Sequence, residues 1–129
     1  MSVLADVQLG IVGRWKTIDD STGLERSVVE IEEREGKLYG RIISLIDPDE
    51  PNPVCDRCDT DDKRYNKPVI GMEIIRDMER SGQAYEGGSI LDPEEGRTYR
   101  CKLWLEGSEL KVRGYWGPFF RTQTWKKST

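Results

Sequence analysis

The sequence contains no histidine among its 129 residues. Histidine is the side chain that most often acts as a general base near neutral pH, and it is the commonest metal ligand. Its absence excludes Ser-His-Asp and Cys-His catalytic arrangements. Since no other convergent pair of nucleophile and base stands out, we expect a non-enzymatic protein that needs no cofactor.

Long apolar runs and an excess of positive charge are also missing. No apolar run approaches the roughly 20 residues that a helix needs to cross a bilayer, so no transmembrane segment is predicted. The net charge is −4. Proteins that bind nucleic acid need basic residues to neutralise phosphates, so nucleic acid is not an expected partner. Residues 1–12 lack the basic and then apolar pattern of a signal peptide, which leaves a cytoplasmic and an exported location both open.

Apolar and polar residues alternate along most of the chain, which is the pattern of half-buried β-strands. For example, Tyr99, Cys101 and Leu103 alternate with basic residues. Strands are predicted at residues 13–19, 27–33, 37–45, 72–79, 84–91, 98–105, 109–116 and 119–126. Short turns rich in Gly, Asp and Pro separate most of them, and eight antiparallel strands can close and leave no exposed sheet edge. The predicted fold class is therefore all-β, a single-domain, eight-stranded antiparallel up-and-down barrel.

Two of the three cysteines, Cys55 and Cys58, are separated by only two residues. Thiols at this spacing can bind zinc, form a redox pair or close a small disulfide. A zinc site needs further ligands, and apart from acidic side chains only Cys101 is available, so no metal is expected. We expect a disulfide that fastens residues 46–68 if the protein is exported, and a reduced pair if it is cytoplasmic.

Motifs spread over nearly the whole chain resemble those of one small bacterial family. They are Gly13-Arg14-Trp15, Gly36-Lys37-Leu38-Tyr39-Gly40-Arg41-Ile42, Cys55 with Cys58, Gly88-Ser89-Ile90-Leu91-Asp92-Pro93, Leu110-Lys111-Val112-Arg113-Gly114-Tyr115 and Arg121-Thr122-Gln123-Thr124-Trp125. Together they are similar to domain of unknown function 2147. The resemblance implies a lipocalin-like barrel, no established enzymatic activity, and a periplasmic or secreted location in Gram-negative bacteria.

The resemblance also implies how one end of the barrel is closed. In lipocalin-like barrels, the Trp of an opening Gly-X-Trp motif packs against a late Arg or Lys. Here that residue is Trp15. We assign the cation to Arg121, because it lies on a late strand and alternation puts it on the same face as Trp125. These three residues are expected to be structural, and a cation–π contact contributes about 0.5–2 kcal/mol.

The favoured function is the binding of a small apolar or amphipathic ligand in the open end of the barrel, where such folds hold ligands. Arg76 shares a predicted face with Ile74, so we expect it to pair with an anionic head group if that face is inward. The candidate ligand-binding residues are Ile42, Met72, Ile74, Arg76, Tyr99, Leu103, Val112 and Trp116.

A second hypothesis remains open, because side chains can also fill an eight-stranded barrel completely. In that case the protein is an interaction module of the cell envelope that binds another protein through its outer surface. Trp104, on an otherwise charged strand face, and residues 46–68 are the candidates for that contact. The sequence does not predict the oligomeric state.

Overall fold

The computed structural model describes residues 10–128, in which eight antiparallel strands form a closed barrel. The strands are β1 (Gly13–Ile18), β2 (Glu25–Arg34), β3 (Lys37–Leu45), β4 (Glu73–Ser81), β5 (Ala84–Asp92), β6 (Arg97–Glu106), β7 (Glu109–Trp116) and β8 (Phe119–Lys127). Each strand pairs with the next one in sequence, and β1 pairs with β8 to close the barrel. The predicted all-β, eight-stranded antiparallel barrel is confirmed, and β3 and β7 have the predicted bounds.

Side chains fill the end of the barrel where β1 begins and β8 ends. Trp15 is 1% exposed, and its Nε1 donates a 2.9 Å hydrogen bond to the backbone oxygen of Ile11. The Nζ of Lys127 lies 4.7 Å from the centroid of the Trp15 ring. Trp15 therefore closes this end of the barrel, and Lys127 is the cation that lies against it.

The assignment of Arg121 as that cation is wrong. Six positions of β8 separate Arg121 from Lys127, which is about 20 Å along a strand. At the other end of the barrel, the Nε of Arg121 lies 3.1 Å from the Oδ2 of Asp20. Alternation gives the face on which a side chain lies, but it does not give its height along the barrel axis.

Strand β4 departs from simple alternation near its start. Two consecutive residues of β3 pair with Ile75 and Glu73, so Ile74 is an extra residue in β4. A bulge of this kind bends the strand and breaks the alternation of faces. Ile74 and Ile75 are consequently both buried. Arg76 then shares no face with Ile74, and its Nε lies 3.0 Å from the Oε1 of Glu73.

The segment between β3 and β4 packs against the turn between β5 and β6. A disulfide joins Cys55 and Cys58 in this segment, and the Sγ of Cys55 lies 3.6 Å from the backbone oxygen of Pro93. A Cβ added to Gly96 would lie 2.6 Å from the backbone nitrogen of Cys58. Glycine at position 96 therefore allows the disulfide loop and the turn to approach closely.

A buried arginine fastens the same segment to β4. The Arg64 side chain donates hydrogen bonds to both carboxylate oxygens of Asp62, at 3.0 and 2.8 Å. Its Nη1 donates a 2.9 Å bond to the backbone oxygen of Glu73. The bonds from Arg64 lower the pKa of Asp62 from 3.8 to about 2.

Candidate ligand cavity

The end of the barrel opposite Trp15 opens into a cavity of about 520 Å³. Three turns surround its mouth, and they join β1 to β2, β5 to β6 and β7 to β8. The cavity extends inward between the strands as far as Trp125, which is 2% exposed. The barrel is therefore filled at one end and open at the other.

Apolar side chains from most of the strands form the inner wall. The main ones are Ile42, Ile74, Ile90, Leu91, Val112 and Trp125. The Nε1 of Trp125 donates a 3.0 Å hydrogen bond to the Oε1 of Gln123, which also lines the cavity. The hydroxyl groups of Thr17 on β1, the strand next to β8, and of Ser27 on β2 lie 2.7 Å apart and form a hydrogen bond with each other. The wall is thus apolar, with a few polar groups whose hydrogen bonds are made within the protein.

Two aromatic side chains stand at the mouth. The ring centroids of Tyr99 and Trp116 are 5.6 Å apart, and Trp116 is 45% exposed. A Cβ on Gly114 would lie 3.3 Å from the Cβ of Tyr99, so the glycine leaves room for the tyrosine. The hydroxyl of Tyr99 donates a 2.8 Å bond to the Oε1 of Glu95. Burial and this bond raise the pKa of Tyr99.

The rim of the mouth is charged, and most of its arginines are already paired. Arg26 contacts Asp19 at 3.4 Å and Glu94 at 2.5 Å. Arg121 contacts Asp20 at 3.1 Å. These pairs are exposed to solvent, so they contribute little to stability. They give the apolar cavity a polar entrance.

The carboxyl of Asp92 lies deeper in the barrel than the other acidic groups of the rim, at the edge of the apolar wall. The Oδ1 of Asp92 accepts hydrogen bonds from the backbone N–H groups of Glu94 and Glu95, at 2.9 and 3.3 Å. Burial raises the pKa of Asp92, and the two N–H bonds oppose this effect without cancelling it. Asp92 was predicted only as part of a turn, because alternation does not indicate that the turn folds over the cavity.

Five of the eight predicted ligand-binding residues lie together around the cavity. They are Ile42, Ile74, Tyr99, Val112 and Trp116. Leu103 is fully buried and does not line the cavity, and Met72 is a core residue at the end of the segment between β3 and β4. Arg76 lies outside with Glu73, so the expected pairing of Arg76 with a head group in the barrel is incorrect. Contact of the five residues with a ligand stays a prediction.

The structure also answers what the sequence asked about Cys101, a metal site and a transmembrane helix. Cys101 is buried, and burial raises the pKa of its thiol to about 12, so the residue behaves as a small apolar side chain. Within residues 10–128, no three His, Cys, Asp or Glu residues are grouped so that they could hold a metal ion. Over the same residues, no helix has the length and apolar character needed to cross a membrane.

The barrel is similar to a solved structure, that of protein HP1028 from Helicobacter pylori, which is described as belonging to the lipocalin family. The two chains are 23% identical, the TM-score is 0.77, and the match covers 92% of this chain and 83% of that chain. At this level of identity the likeness shows the fold. No curated protein matches the chain. The family model described as "Uncharacterized protein conserved in bacteria (DUF2147)" matches residues 13–127, so the chain belongs to this bacterial family.

Proposed function

We propose that this protein is a non-enzymatic binding protein whose barrel holds a small apolar or amphipathic molecule. The observation that carries the proposal is the open cavity of about 520 Å³ with its apolar wall. Small-molecule sites typically measure about 300–1,000 Å³ and combine apolar walls with a few polar groups. The polar groups here include Gln123 and Asp92.

The order of side chains along β8 favours an amphipathic ligand. Trp125 is buried, Gln123 is half-buried and Arg121 is exposed, and all three line the cavity. Polarity therefore increases from the inner end to the mouth. An apolar tail would lie against Trp125, and a polar group would stay near Arg121 and the rim.

The alternative function, a protein-interaction module with a filled barrel, has less support because the outer part of the barrel is not filled. Its candidate residue Trp104 is half-buried on the outer face. The side chains of Lys102 and Arg113 lie 5.6 and 4.9 Å from the centroid of its ring. These cations leave less of the ring free for a partner.

We also propose that the protein works in the periplasm or outside the cell. The disulfide between Cys55 and Cys58 supports this location, because such bonds persist in oxidising compartments and are rare in the cytoplasm. Fractionation of cells that express the full-length native gene tests it. Recovery of the protein in the cytoplasmic fraction with free thiols would overturn it.

The binding proposal is tested by titration with a neutral apolar dye and with a fatty acid. Val112→Phe places extra volume in the cavity, and Thr124→Phe adds the same ring on the outer face of the barrel. Binding should be lost in the first variant and retained in the second. Trp116→Ala changes an exposed residue of the mouth and should weaken binding without unfolding the protein. The proposal fails if the wild type binds neither probe, or if a folded Val112→Phe protein binds both normally.

A further inference from the structure

The β7–β8 hairpin ends in three exposed aromatic side chains. Trp116, Phe119 and Phe120, here called the aromatic tip, are 45%, 61% and 56% exposed. The rings of Trp116 and Phe119 lie 5.8 Å apart on the mouth side of the hairpin. On the other side, Phe120 lies 5.9 Å from the ring of Tyr115. Single exposed apolar residues are ordinary, whereas three large aromatic side chains exposed on the two sides of one turn favour an interaction site.

The backbone of the aromatic tip carries few polar groups that would have to leave water. Trp116 pairs with Phe119, so only Gly117 and Pro118 form the turn. Proline has no backbone N–H, and the turn therefore brings a single donor, that of Gly117. Backbone groups without a partner are the main cost of entering a lipid layer, and this hairpin keeps that cost small.

Basic side chains cover the outer face of β6, β7 and β8 behind the aromatic tip. This basic face consists of Arg100, Lys102, Lys111, Arg113 and Lys126. Lys111 and Lys126 lie 3.9 Å from Glu109, at the end of the face far from the tip. Within residues 10–128, Arg100, Lys102 and Arg113 form no salt bridge. The side chain of Arg113 lies 4.3 Å from the ring of Phe120, so positive charge adjoins the aromatic tip.

We propose that the aromatic tip and the basic face dock this protein onto an anionic lipid bilayer. Trp and Phe side chains favour the boundary between head groups and hydrocarbon, and basic side chains beside them are attracted to anionic lipids. The tip is convex and presents rings on both of its sides, so a fluid layer can surround it, whereas a rigid protein surface would cover only one side.

The acidic rim determines the orientation of the docked barrel. Asp19, Asp20, Glu94 and Glu95 lie on the turns around the rest of the mouth. Arginines pair with three of them, but with Asp92 the carboxylates that line the mouth still outnumber the arginines by five to three, so an anionic surface repels this part of the rim. The barrel therefore lies tilted, with β6–β8 against the head groups and the acidic turns away from them. Because Trp116 also lines the cavity, this orientation places the entrance beside the lipid. That last step rests on the proposed binding function, whereas docking itself does not.

The experiment measures sedimentation of the protein with vesicles of phosphatidylcholine alone and of equal parts phosphatidylcholine and phosphatidylglycerol. The wild type should bind only the anionic vesicles, and salt should weaken the binding. Arg100→Gln and Lys102→Gln should each weaken it about fivefold. The double variant Phe119→Ser/Phe120→Ser should weaken it by roughly tenfold or more.

Leu24→Ser is the matched control, because Leu24 is 64% exposed on the acidic side of the mouth. It should leave vesicle binding unchanged. The proposal is overturned if the wild type does not bind anionic vesicles, or if Leu24→Ser weakens binding as much as the change at the tip. It is also overturned if the protein is a dimer that the Phe119→Ser/Phe120→Ser change dissociates, since the tip would then contact a second copy of the chain.

The same variants separate docking from ligand binding. Phe119 and Phe120 do not line the cavity, so the Phe119→Ser/Phe120→Ser protein should still bind the apolar dye in solution. Loss of vesicle binding with normal dye binding supports docking by the tip. Normal vesicle binding by a wild-type protein that binds no dye would leave docking standing and overturn the cavity proposal alone.

Discussion

The filled end of the barrel gives a specific prediction about two residues that are 112 positions apart. Trp15 is 1% exposed, and Trp→Ala in a core costs about 3–5 kcal/mol. Trp15→Leu keeps part of the apolar volume and should cost less than that. Lys127 lies 4.7 Å from the ring centroid and is exposed to solvent, so Lys127→Met should cost only about 0.5–1 kcal/mol.

Urea denaturation of the single and double variants measures whether the two residues act together. Trp15→Leu already removes the aromatic face, so adding Lys127→Met should cost almost nothing more, and the coupling free energy should be about 0.5–1 kcal/mol. The matched control is a second cycle in which Trp15→Leu is combined with a substitution of Arg121 and Lys127 is left unchanged. The partner of Arg121, Asp20, lies at the other end of the barrel. Losses in that pair should add to within roughly 0.5 kcal/mol. Coupling of Trp15 to Arg121, with none to Lys127, would refute the assignment.

Three further predictions concern the β3–β4 segment and the core. Reduction of the bond between Cys55 and Cys58 should lower the free energy of unfolding by about 2 kcal/mol, because the closed loop is short; an unchanged urea midpoint under reductant would contradict this. Arg64 holds the pKa of Asp62 at about 2, below its ordinary value of 3.8. The interaction of Asp62 with Arg64 therefore stabilises the fold fully above pH 3.8, and this stabilisation is lost as the pH falls toward 2. The free energy of unfolding of Asp62→Asn should consequently fall less over that pH range than the free energy of unfolding of the wild type. Burial raises the pKa of Cys101 to about 12, so its thiol should resist alkylation until the protein is denatured, and rapid labelling of the native protein would disprove it.

The barrel could be predicted from the sequence because each strand buries one face. In β6, Cys101 and Leu103 face inward while Lys102 faces outward, and this alternation is visible without coordinates. The turns were equally informative, since Gly107 takes the left-handed conformation in the hairpin between β6 and β7. The same reasoning predicted three of the six main wall residues of the cavity, which are Ile42, Ile74 and Val112, but not Ile90, Leu91 or Trp125.

The positions of the arginines could not be predicted in the same way. The extra residue Ile74 reverses which residues of β4 face inward. Such a bulge cannot be recognised from the alternation of apolar and polar residues before the pairing of β3 and β4 is known. Arg76 was therefore assigned to the wrong side. Arg121 was assigned to the correct face at the wrong height, because height depends on where β1 and β8 meet. The volume of the cavity depends on how side chains of all strands meet, which the sequence does not give.

The most direct test of the central claim, ligand binding inside the barrel, is a crystal structure with a fatty acid that carries bromine at the end of its tail. The anomalous signal of bromine reports where the tail lies. We predict a peak inside the barrel near Trp125, with the carboxylate at the mouth. A peak only at the outer surface of the protein, or none at a concentration that saturates binding in solution, would contradict the account.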